Sequence, residues 1–342
     1  MEKVLAALSG GVDSATAAAL LRRRGYEVEG AIMVFRGVTD DAITCATAAA
    51  RKLDIPFECI DLTEEFRSTI IQDFIDEYSR GRTPNPCILC NAFIKFGAFM
   101  NIAERRGFSK IATGHYASIY RDNERFLLQR GRDKNEQSYF LYRLNQRQLA
   151  RALLPMGQYT KAQTRALAQA LRLPTARRRE SQDVCFVPGN DYVSFLKRYV
   201  TQRPGSILNK QGEPIGEHQG IIGYTCGQRR RIGLSHRKPY YIIKIDYDNN
   251  ALYVGDQDDV YHTELIAADV HFIPFDTLEE DLEVMAKPRY VAPLTRARVK
   301  PLANNRVHVT FTEAQCAPTP GQSVVFYQGS IVVGGGIIEE VL

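Results

Sequence analysis

The chain has 342 residues, of which 44% are hydrophobic, with a formal net charge of +5 at pH 7. Its length exceeds one average domain and its apolar content permits buried cores, so we expect two or three domains and exclude a disordered chain. No stretch approaches the roughly 18 uncharged apolar residues of a membrane span, and the N-terminus lacks signal-peptide features, which predicts a cytoplasmic protein without a membrane partner.

The first predicted elements are a buried strand, a glycine loop and a helix. The apolar run 4–8 predicts the strand, SGGVDS at 9–14 the loop, and the alanine-rich run 15–21 the helix. The glycines let the backbone approach an anion, the helix N-terminus attracts it, and the two serines add hydroxyl donors. Asp13 is a plausible ligand of phosphate-bound Mg²⁺. A glycine turn before an ordinary helix is the simpler alternative.

The loop has neither the Gly-Lys-Ser/Thr of a P-loop nor the G-x-G-x-x-G of a dinucleotide fold. It resembles the pyrophosphate loop, SGGxDS, of the N-type ATP pyrophosphatases. That family cleaves ATP to AMP and pyrophosphate and adenylates a carbonyl oxygen. The resemblance therefore implies activation by adenylation, with ATP and Mg²⁺ as cofactors.

Strands and helices alternate after this loop. Strands are predicted at 28–34, 57–62 and 110–113, and helices at 39–53 and 63–79. The alternation predicts an α/β fold with a doubly wound parallel sheet. Ligands bind at the carboxyl ends of such strands, so Met33 is a candidate adenine contact, or plain core, and Gly114 would permit close approach of a nucleotide. The predicted nucleotide-binding residues are Ala7, Leu8, Ser9, Gly10, Gly11, Val12, Asp13, Ser14, Met33 and Gly114.

A proline-rich segment with two cysteines, GRTPNPCILCN at 81–91, interrupts the alternation. The prolines hold it extended, and a helix is predicted at 91–105. Cys90 would then lie at a helix N-terminus, where the dipole lowers a thiol pKa, as a sulfur nucleophile requires. The Cys-x-x-Cys also suits zinc or redox chemistry, but no second ligand pair closes a zinc site. Two buried thiols are the structural alternative.

Two further segments combine polar and aromatic residues. His115, after the strand at 110–113, is a candidate substrate contact or base, although a lone histidine is more often structural. Beyond a hairpin predicted at 121–132, the polar run NEQ at 135–137 precedes aromatic residues. This combination can hold a flipped base or simply cap a helix.

Basic residues concentrate at 143–182, whereas acidic residues dominate 54–77. A helix is predicted at 160–173 with Lys161 and other basic side chains exposed, and an arginine cluster follows at 177–179. The asymmetry favours a surface for a polyanion, although a solvated helix surface explains it equally well. A thiol after this cluster is favoured as thiolate, which singles out Cys185 among seven cysteines that we expect to be reduced, catalytic or metal-bound. The cysteines interpreted as packing are Cys45, Cys59, Cys226 and Cys316.

From 202 onwards, glycines and short apolar alternations replace helices. A hairpin is predicted around Asn249-Asn250, and further strands at 296–300, 306–311, 323–327 and 331–333. Short strands at regular spacing predict a small β-barrel. The predicted domains are a catalytic domain at 1–201, a central linker domain at 202–260 and a C-terminal β-barrel at 261–342.

Taken in order, these motifs resemble those of the tRNA-specific 2-thiouridylases over the whole chain. The motifs are SGGVDS (9–14), PNP with CN (84–91), ATGHY (112–116), QSYFL (137–141), CF (185–186), GEHQG (216–220), GQR (227–229), TPGQ (319–322) and GGGII (334–338). The resemblance implies that ATP adenylates the 2-carbonyl oxygen of the wobble uridine in tRNA and that a persulfide sulfur displaces AMP. It places the persulfide on Cys185 and the second catalytic cysteine on Cys90, with a Cys90–Cys185 disulfide after turnover.

The residues assigned to the tRNA substrate by this resemblance are Asn85, Pro86, Cys87, His115, Asn135, Glu136, Gln137, Arg289, Tyr290 and Gln322. The chain departs from the family pattern at Cys87, where an Asp is frequent, and at Glu136. Three thiolates, Cys87, Cys90 and Cys185, can hold a [4Fe–4S] cluster with one iron open to sulfide. Cys185 would then be a ligand rather than a persulfide carrier. The sulfur donor is a cysteine desulfurase, a sulfur-relay protein or free sulfide.

Two other functional classes compete with this interpretation. One is a small-molecule adenylating ligase of the same ATP family, such as an argininosuccinate or GMP synthetase. The other is a non-catalytic RNA-binding protein whose cysteines hold a structural metal. Each explains only part of the motif set.

Overall fold

The computed structural model describes residues 1–178, 184–187, 189, 191–234 and 239–342. Contacts divide the chain into two compact units. The first comprises Met1–Ile70, Cys87–Asn190 and Ser330–Val333, and the second comprises Ile71–Pro86, Asp191–Gly329 and Gly334–Leu342. The three domain boundaries drawn from the sequence remain a prediction.

The first unit contains a five-stranded parallel sheet in the order β3-β2-β1-β4-β7. Its strands are β1 (Lys3–Ala7), β2 (Glu27–Val34), β3 (Phe57–Asp61), β4 (Lys110–Ala112) and β7 (Ala152–Leu153). The order reverses direction at β1, so the loops after β1 and β4 border the crevice where ligands bind in such sheets. The predicted α/β fold is confirmed, with the glycine loop and the segment 113–116 at this crevice.

Besides short 3-10 turns, seven longer helices accompany the sheets in the described part of the chain. They are α1 (Val12–Arg23), α2 (Asp40–Leu53), α3 (Thr63–Phe66, Arg67–Ile71 and Gln72–Ser79), α4 (Pro86–Arg105), α5 (Gln146–Arg151), α6 (Lys161–Ala170) and α7 (Tyr192–Leu196). Alanines of α1 and α2 pack with Val4 and Leu8 in one buried cluster, because small side chains allow helices to approach a sheet closely. Thr160 caps α6, as predicted, through a capping box with Gln163.

Helix α4 begins five residues earlier than the sequence predicts. Pro86 opens it because proline fits the first helical position, where no N–H is needed. Its middle, Cys90–Ala98, is π-helical, between α-helical turns at Pro86–Leu89 and Phe99–Arg105. By length and composition α4 could cross a membrane, but 56% of its most apolar window is buried, and core helices of soluble proteins meet the same criteria.

A hairpin of β5 (Ala117–Asp122) and β6 (Arg125–Arg130) completes the first unit, with Asn123 in the left-handed region of its turn. Ile331, from the short segment that the C-terminal strand contributes to this unit, pairs with Gln129. The hairpin predicted at 121–132 is therefore present, but its strands begin at Ala117.

The second unit contains a four-stranded sheet and a barrel. The sheet, in the order β10-β11-β8-β9, consists of β8 (Gly205–Leu208), β9 (Pro214–His218), β10 (Tyr241–Asp246) and β11 (Ala251–Gly255). Its core includes the fully buried Ile207, Ile242 and Leu252. The predicted hairpin at Asn249-Asn250 joins β10 to β11.

The barrel is formed by six long strands. They are β12 (Tyr261–Phe272), β13 (Leu282–Lys287), β14 (Thr295–Leu302), β15 (Arg306–Cys316), β16 (Ser323–Gln328) and β17 (Ile331–Val341). The order is β12-β15-β14-β13-β16-β17, and β12 pairs with β17, which closes the sheet on itself. The predicted C-terminal β-barrel is thus confirmed.

Candidate functional site

The glycine loop leaves the N-terminus of α1 open to a ligand. Gly11 occupies the N-cap position with no side-chain cap, and Gly10 has a φ of 75°, in the left-handed region. The first N–H groups of a helix have no acceptor within it. The two serines hydrogen-bond to each other: the Ser9 N–H donates to Ser14 Oγ at 3.1 Å, and the two hydroxyls lie 3.2 Å apart. The backbone rather than the serines therefore offers the free donors.

Asp13 is bound by two side chains that the sequence analysis did not connect with it. Lys161 Nζ donates to both carboxylate oxygens, at 2.7 and 2.9 Å, and the Tyr116 hydroxyl lies 2.7 Å from Oδ1. The Lys161 side chain is only 20% exposed, so its predicted place on an exposed basic face is wrong. The Asp13 carboxylate thus already accepts three hydrogen bonds, and its assignment to Mg²⁺ stays a prediction.

Tyr116 connects this ion pair to helix α6. Its hydroxyl also lies 2.9 Å from Thr164 Oγ1, and burial, followed by the bond to Asp13, raises the pKa of Tyr116. The phenol therefore stays neutral beside the carboxylate. Tyr116 was visible in the ATGHY motif, but the local sequence gave no sign that Asp13 would be its partner.

Gly114 is explained by packing against α1. A Cβ on Gly114 would lie 2.7 Å from the Ser14 nitrogen and 2.8 Å from the Asp13 carbonyl carbon. Glycine is thus required because two backbones meet at this position. Its contact with a nucleotide, like those of Met33 at the half-buried end of β2 and of the buried Ala7 and Leu8, stays a prediction.

The arginine cluster is not a single exposed surface. Arg178 donates to the Gly10 carbonyl at 3.3 Å and pairs with Asp41 at 2.7 Å, so it lies against the glycine loop. Arg177 is exposed, and Arg179 falls outside the described residues. Arg178 thus holds the glycine loop, and of the two described arginines of the cluster Arg177 is the exposed one.

The thiols of Cys90 and Cys185 have pKa values shifted opposite to the expected direction. Cys90 lies in the second turn of α4, beyond the first-turn N–H groups, and is 7% exposed. Burial raises the pKa of the Cys90 thiol and of the Cys87 thiol. It raises that of Cys185 to about 12, even though much of the Cys185 residue is exposed, with Cys90 and Cys87 as further causes. The predicted lowering by the helix dipole and the arginine cluster is therefore wrong.

These three thiols lie close enough to influence each other's pKa, yet they are not arranged as ligands of one ion. In the described ranges, no group of three or more His, Cys, Asp or Glu side chains could hold a metal ion. The residues present therefore do not fit a cluster in this conformation.

Cys185 is anchored by its neighbours in the chain and in space. Phe186, 2% exposed, packs edge-on against Phe66, which stacks on Phe35 at 4.1 Å. Gly37, with a φ of 101°, lies against the Cys185 carbonyl, where any Cβ would collide. These contacts fix Cys185 beside the loop after β2. The sequence around Gly37 contains no pattern that predicts its contact with Cys185.

Lys95 is the cation shared by this group. It lowers the pKa of Cys87, Cys90 and Cys185, and after burial it is the second cause of the lowered pKa of His115. Lys95 follows Cys90 by five residues, the hydrogen-bond spacing of a π-helix. The sequence analysis did not single out Lys95, because in the α-helix predicted there Cys90 and Lys95 would lie on different faces.

His115 is held neutral. The Thr113 hydroxyl lies 2.7 Å from its Nδ1, and burial lowers the pKa of His115 well below 6.5. A lowered pKa makes His115 a weak base. A role as a substrate contact stays a prediction.

The polar run at 135–137 is used largely within the fold. Gln137 Oε1 accepts from the Tyr116 N–H at 3.0 Å. Glu136, 3% exposed, accepts from the Ser138 N–H at 2.8 Å and pairs with Arg130 at 3.2 Å. Asn135 alone of the three is exposed, and their assignment to tRNA stays a prediction.

Five residues assigned to tRNA lie in the second unit. Gln322 donates to the carbonyls of Thr83 and Pro84, in the segment that also contains Asn85 and Pro86. Arg289 donates to the Ala317 carbonyl, and Lys287 lies 5.3 Å from the ring centre of Tyr290. Arg289 and Gln322 are therefore engaged in internal contacts, and a role in binding tRNA stays a prediction for each.

A cavity of about 290 Å³ in the first unit lies away from these groups. Its lining includes Leu21, Arg24, Lys110 and Phe126, near the C-terminal end of α1. Because it contains neither the glycine loop nor a cysteine, we assign it no function.

Matches to known protein families extend over nearly the whole chain. Three family models match: a tRNA methyl transferase HUP domain at residues 2–189, a tRNA methyl transferase PRC-barrel domain at 193–256 and an aminomethyltransferase beta-barrel domain at 262–338. The tRNA-specific 2-thiouridylase MnmA 1 of Caldanaerobacter subterraneus subsp. tengcongensis is 46% identical, over 99% of this chain and 98% of that protein.

A second relative is similar to the same extent. The tRNA-specific 2-thiouridylase MnmA 2 of Clostridium botulinum (strain Loch Maree) is 45% identical, over 99% of each chain. Among solved structures, the NMN synthetase from Francisella tularensis aligns with a TM-score of 0.38 and 16% identity, over 56% of this chain and 71% of that one.

Proposed function

Because the chain belongs to the family of tRNA-specific 2-thiouridylases, we propose that it replaces the 2-oxygen of the wobble uridine of tRNA with sulfur in an ATP-dependent reaction. The observation that carries the proposal is the 46% identity to a 2-thiouridylase over nearly the full length of both chains. A small-molecule ligase or a non-catalytic RNA-binding protein would not account for similarity of that extent.

In the first step, the 2-carbonyl oxygen attacks the α-phosphorus of ATP and pyrophosphate leaves. The uncapped N-terminus of α1 supports this step, since its N–H groups and dipole attract phosphates. Lys161, beside Asp13, supplies a cation that can neutralise the leaving pyrophosphate. Mg²⁺, when bound to the phosphates, would add further charge neutralisation.

In the second step, Cys185 carries sulfur as a persulfide. The terminal sulfur attacks C2 of the uridine and AMP leaves. The Cys90 sulfur then attacks Cys185 sulfur, and the thiol proton of Cys90 passes to the departing 2-thiouridine. This leaves a Cys90–Cys185 disulfide for an external thiol to reduce. A persulfide is more acidic than a thiol, so it ionises at a neutral pH at which Cys185, with a pKa of about 12, does not.

A sulfur donor must reach Cys185, and the exposure of that residue suits a cysteine desulfurase or a sulfur-relay protein. The alternative is a [4Fe–4S] cluster on Cys87, Cys90 and Cys185 with free sulfide as donor. Because the described side chains do not form a metal-binding group, we derive no step through a cluster.

The test is thiolation of tRNA by protein purified without oxygen, with iron and acid-labile sulfide measured on the same sample. We expect ATP-dependent 2-thiouridine, detected by mass spectrometry of the digested tRNA. Cys185→Ser should abolish it with tRNA affinity nearly unchanged. The matched control is Cys59→Ser, which changes an exposed cysteine on β3 and should retain full activity.

Three results would contradict parts of this proposal. Bound iron, with activity lost in the iron-free form, would replace the persulfide route with the cluster. Loss of tRNA binding in Cys185→Ser would argue against a chemical role for the thiol. Complete conversion of ATP to AMP with a small acceptor and no tRNA would point to a ligase.

A further inference from the structure

The turn at 319–322 (TPGQ) holds the chain segment that precedes α4. Gln322 Nε2 donates to the carbonyls of Thr83 and Pro84, at 2.9 and 3.3 Å. The Thr83 N–H donates to the Pro320 carbonyl at 2.9 Å. Three hydrogen bonds therefore fix the main chain just before Pro86, the residue at which α4 begins.

The turn is itself fixed to the barrel. Gly321 has a φ of 91°, and a Cβ there would lie 2.9 Å from the Thr83 nitrogen, so the two backbones are in direct contact. Its N–H donates to the Ile338 carbonyl at 2.9 Å, and the Ile338 N–H donates to the Gln322 carbonyl at 2.8 Å. A substitution at Gln322 would therefore remove two of the three hydrogen bonds to the 83–84 segment and leave the turn in place.

Arg289 extends the same network. Its guanidinium donates to the Ala317 carbonyl and, at 3.0 Å, to the Thr319 hydroxyl, which also donates to Ala317 at 2.9 Å. The Arg289 Nε is buried without a hydrogen-bond partner among the described residues. Arg289 thus braces the strand end that leads into the turn.

We propose that Gln322 is a positioning residue, whose side-chain amide fixes Thr83 and Pro84 and thereby the start of the helix that carries Cys87 and Cys90. The reason is geometric: a misplacement of about 1 Å at a reacting group can cost on the order of 100-fold in rate. The inference rests on the proposed function for the reaction that is measured. In this role Gln322 acts on the protein's own main chain and not on tRNA directly.

The test compares Gln322→Met and Gln322→Glu with the unchanged protein. Methionine keeps the length of the side chain and removes the donor, and glutamate places a carboxylate opposite two carbonyls. We expect kcat for tRNA thiolation to fall about fivefold or more with less than about a twofold change in KM. We also expect the rate at which iodoacetamide labels Cys87, measured by peptide mass spectrometry, to change about threefold or more. The control is Gln328→Met, since exposed Gln328 donates to the Glu283 carbonyl at 3.2 Å away from the turn.

A rise in KM with unchanged kcat and labelling would overturn the proposal and make Gln322 a tRNA contact. Unchanged labelling in both variants would overturn it as well. Labelling needs neither ATP nor tRNA, so it tests the position of the helix even if the chain proves not to thiolate tRNA. Circular dichroism shows whether each variant is folded, and Gln322→Glu provides the second measurement if Gln322→Met is not.

Discussion

The sulfur chemistry of this protein depends on which of two effects controls the pKa of each thiol. A helix N-terminus contributes about 0.3–1 kcal/mol, less than one pKa unit, whereas burial can shift a pKa by about 3–5 units. Burial is the larger effect here, so the Cys90 and Cys185 thiols are protonated at neutral pH. Lys95 is the group that opposes burial at both.

We therefore predict that Lys95→Met raises the pKa of both thiols further. The thiolate fraction at a fixed pH falls when the pKa rises, so alkylation at pH 8 should slow about two- to fivefold and its pH profile should move to higher pH. Iodoacetamide labelling of Cys90 and Cys185 between pH 7 and 10 measures this. Lys95→Arg keeps the charge and should behave as the unchanged protein. Equal rates in Lys95→Met would show that the ammonium has no influence on the thiols.

Among the helices, α4 carries an irregularity with a clear source of support. Its segment Cys90–Ala98 is π-helical, with hydrogen bonds five residues apart instead of four, which widens the turn. Gln148, 8% exposed, donates to the carbonyls of Ala92 and Phe96 at 2.7 and 2.9 Å. Its Oε1 also accepts from the Asn145 N–H at the start of α5. One side chain on α5 thus satisfies the widened turn of the cysteine-bearing helix.

Gln148→Leu should therefore destabilise the protein. It removes the two hydrogen bonds that Gln148 donates to buried carbonyls and the one that it accepts from the Asn145 N–H, and each loss costs about 1 kcal/mol or more. We expect the free energy of unfolding to fall by about 2–5 kcal/mol in total. Urea unfolding followed by circular dichroism measures this, since the chain has no tryptophan. Gln169→Leu, at an exposed position of α6, should change stability by less than about 0.5 kcal/mol. If Gln148→Leu lowered the free energy of unfolding by less than about 0.5 kcal/mol, the groups that Gln148 binds would be satisfied by water instead.

At the scale of the whole molecule, the basic stretch at 143–182 contains residues with different partners in its described part. Lys161 and Arg178 contact the glycine loop and the start of α1, through Asp13 and through Gly10 with Asp41. Arg177 is displayed to solvent and is available to an external polyanion. The basic stretch is therefore used in part for contacts at the glycine loop, and the sequence pattern alone did not separate the two sets.

This division predicts different effects of Arg177→Gln and Arg178→Gln. Loss of a phosphate contact lowers the slope of log K against log salt by about one, so Arg177→Gln should reduce the slope for tRNA binding by that amount. Arg178→Gln should leave the tRNA slope unchanged and weaken ATP binding, because Arg178 holds the Gly10 carbonyl. Filter binding of tRNA from about 50 to about 300 mM KCl measures the salt slope of both variants. A reversed pattern would place Arg178 at the tRNA surface.

The sequence by itself determined the order of elements, the α/β fold, the position of the glycine loop, the N-cap at Thr160 and the closed barrel. These features follow from periodicity, turn residues and caps, which act between residues a few positions apart. The start of α4 is the one feature of this kind that was predicted at the wrong residue. Proline is found at a helix start as well as in an extended loop, so the local sequence did not distinguish the two.

Only the tertiary structure decided which groups meet. Asp13 and Lys161 are separated by 148 residues, and Gln322 and Thr83 by 239. The pKa of each thiol depends on how completely the fold covers it, which no local pattern records. The sequence could therefore name Asp13, Cys90, Cys185 and Gln322 as functional candidates, but their partners, charge states and burial arose only when distant segments packed together.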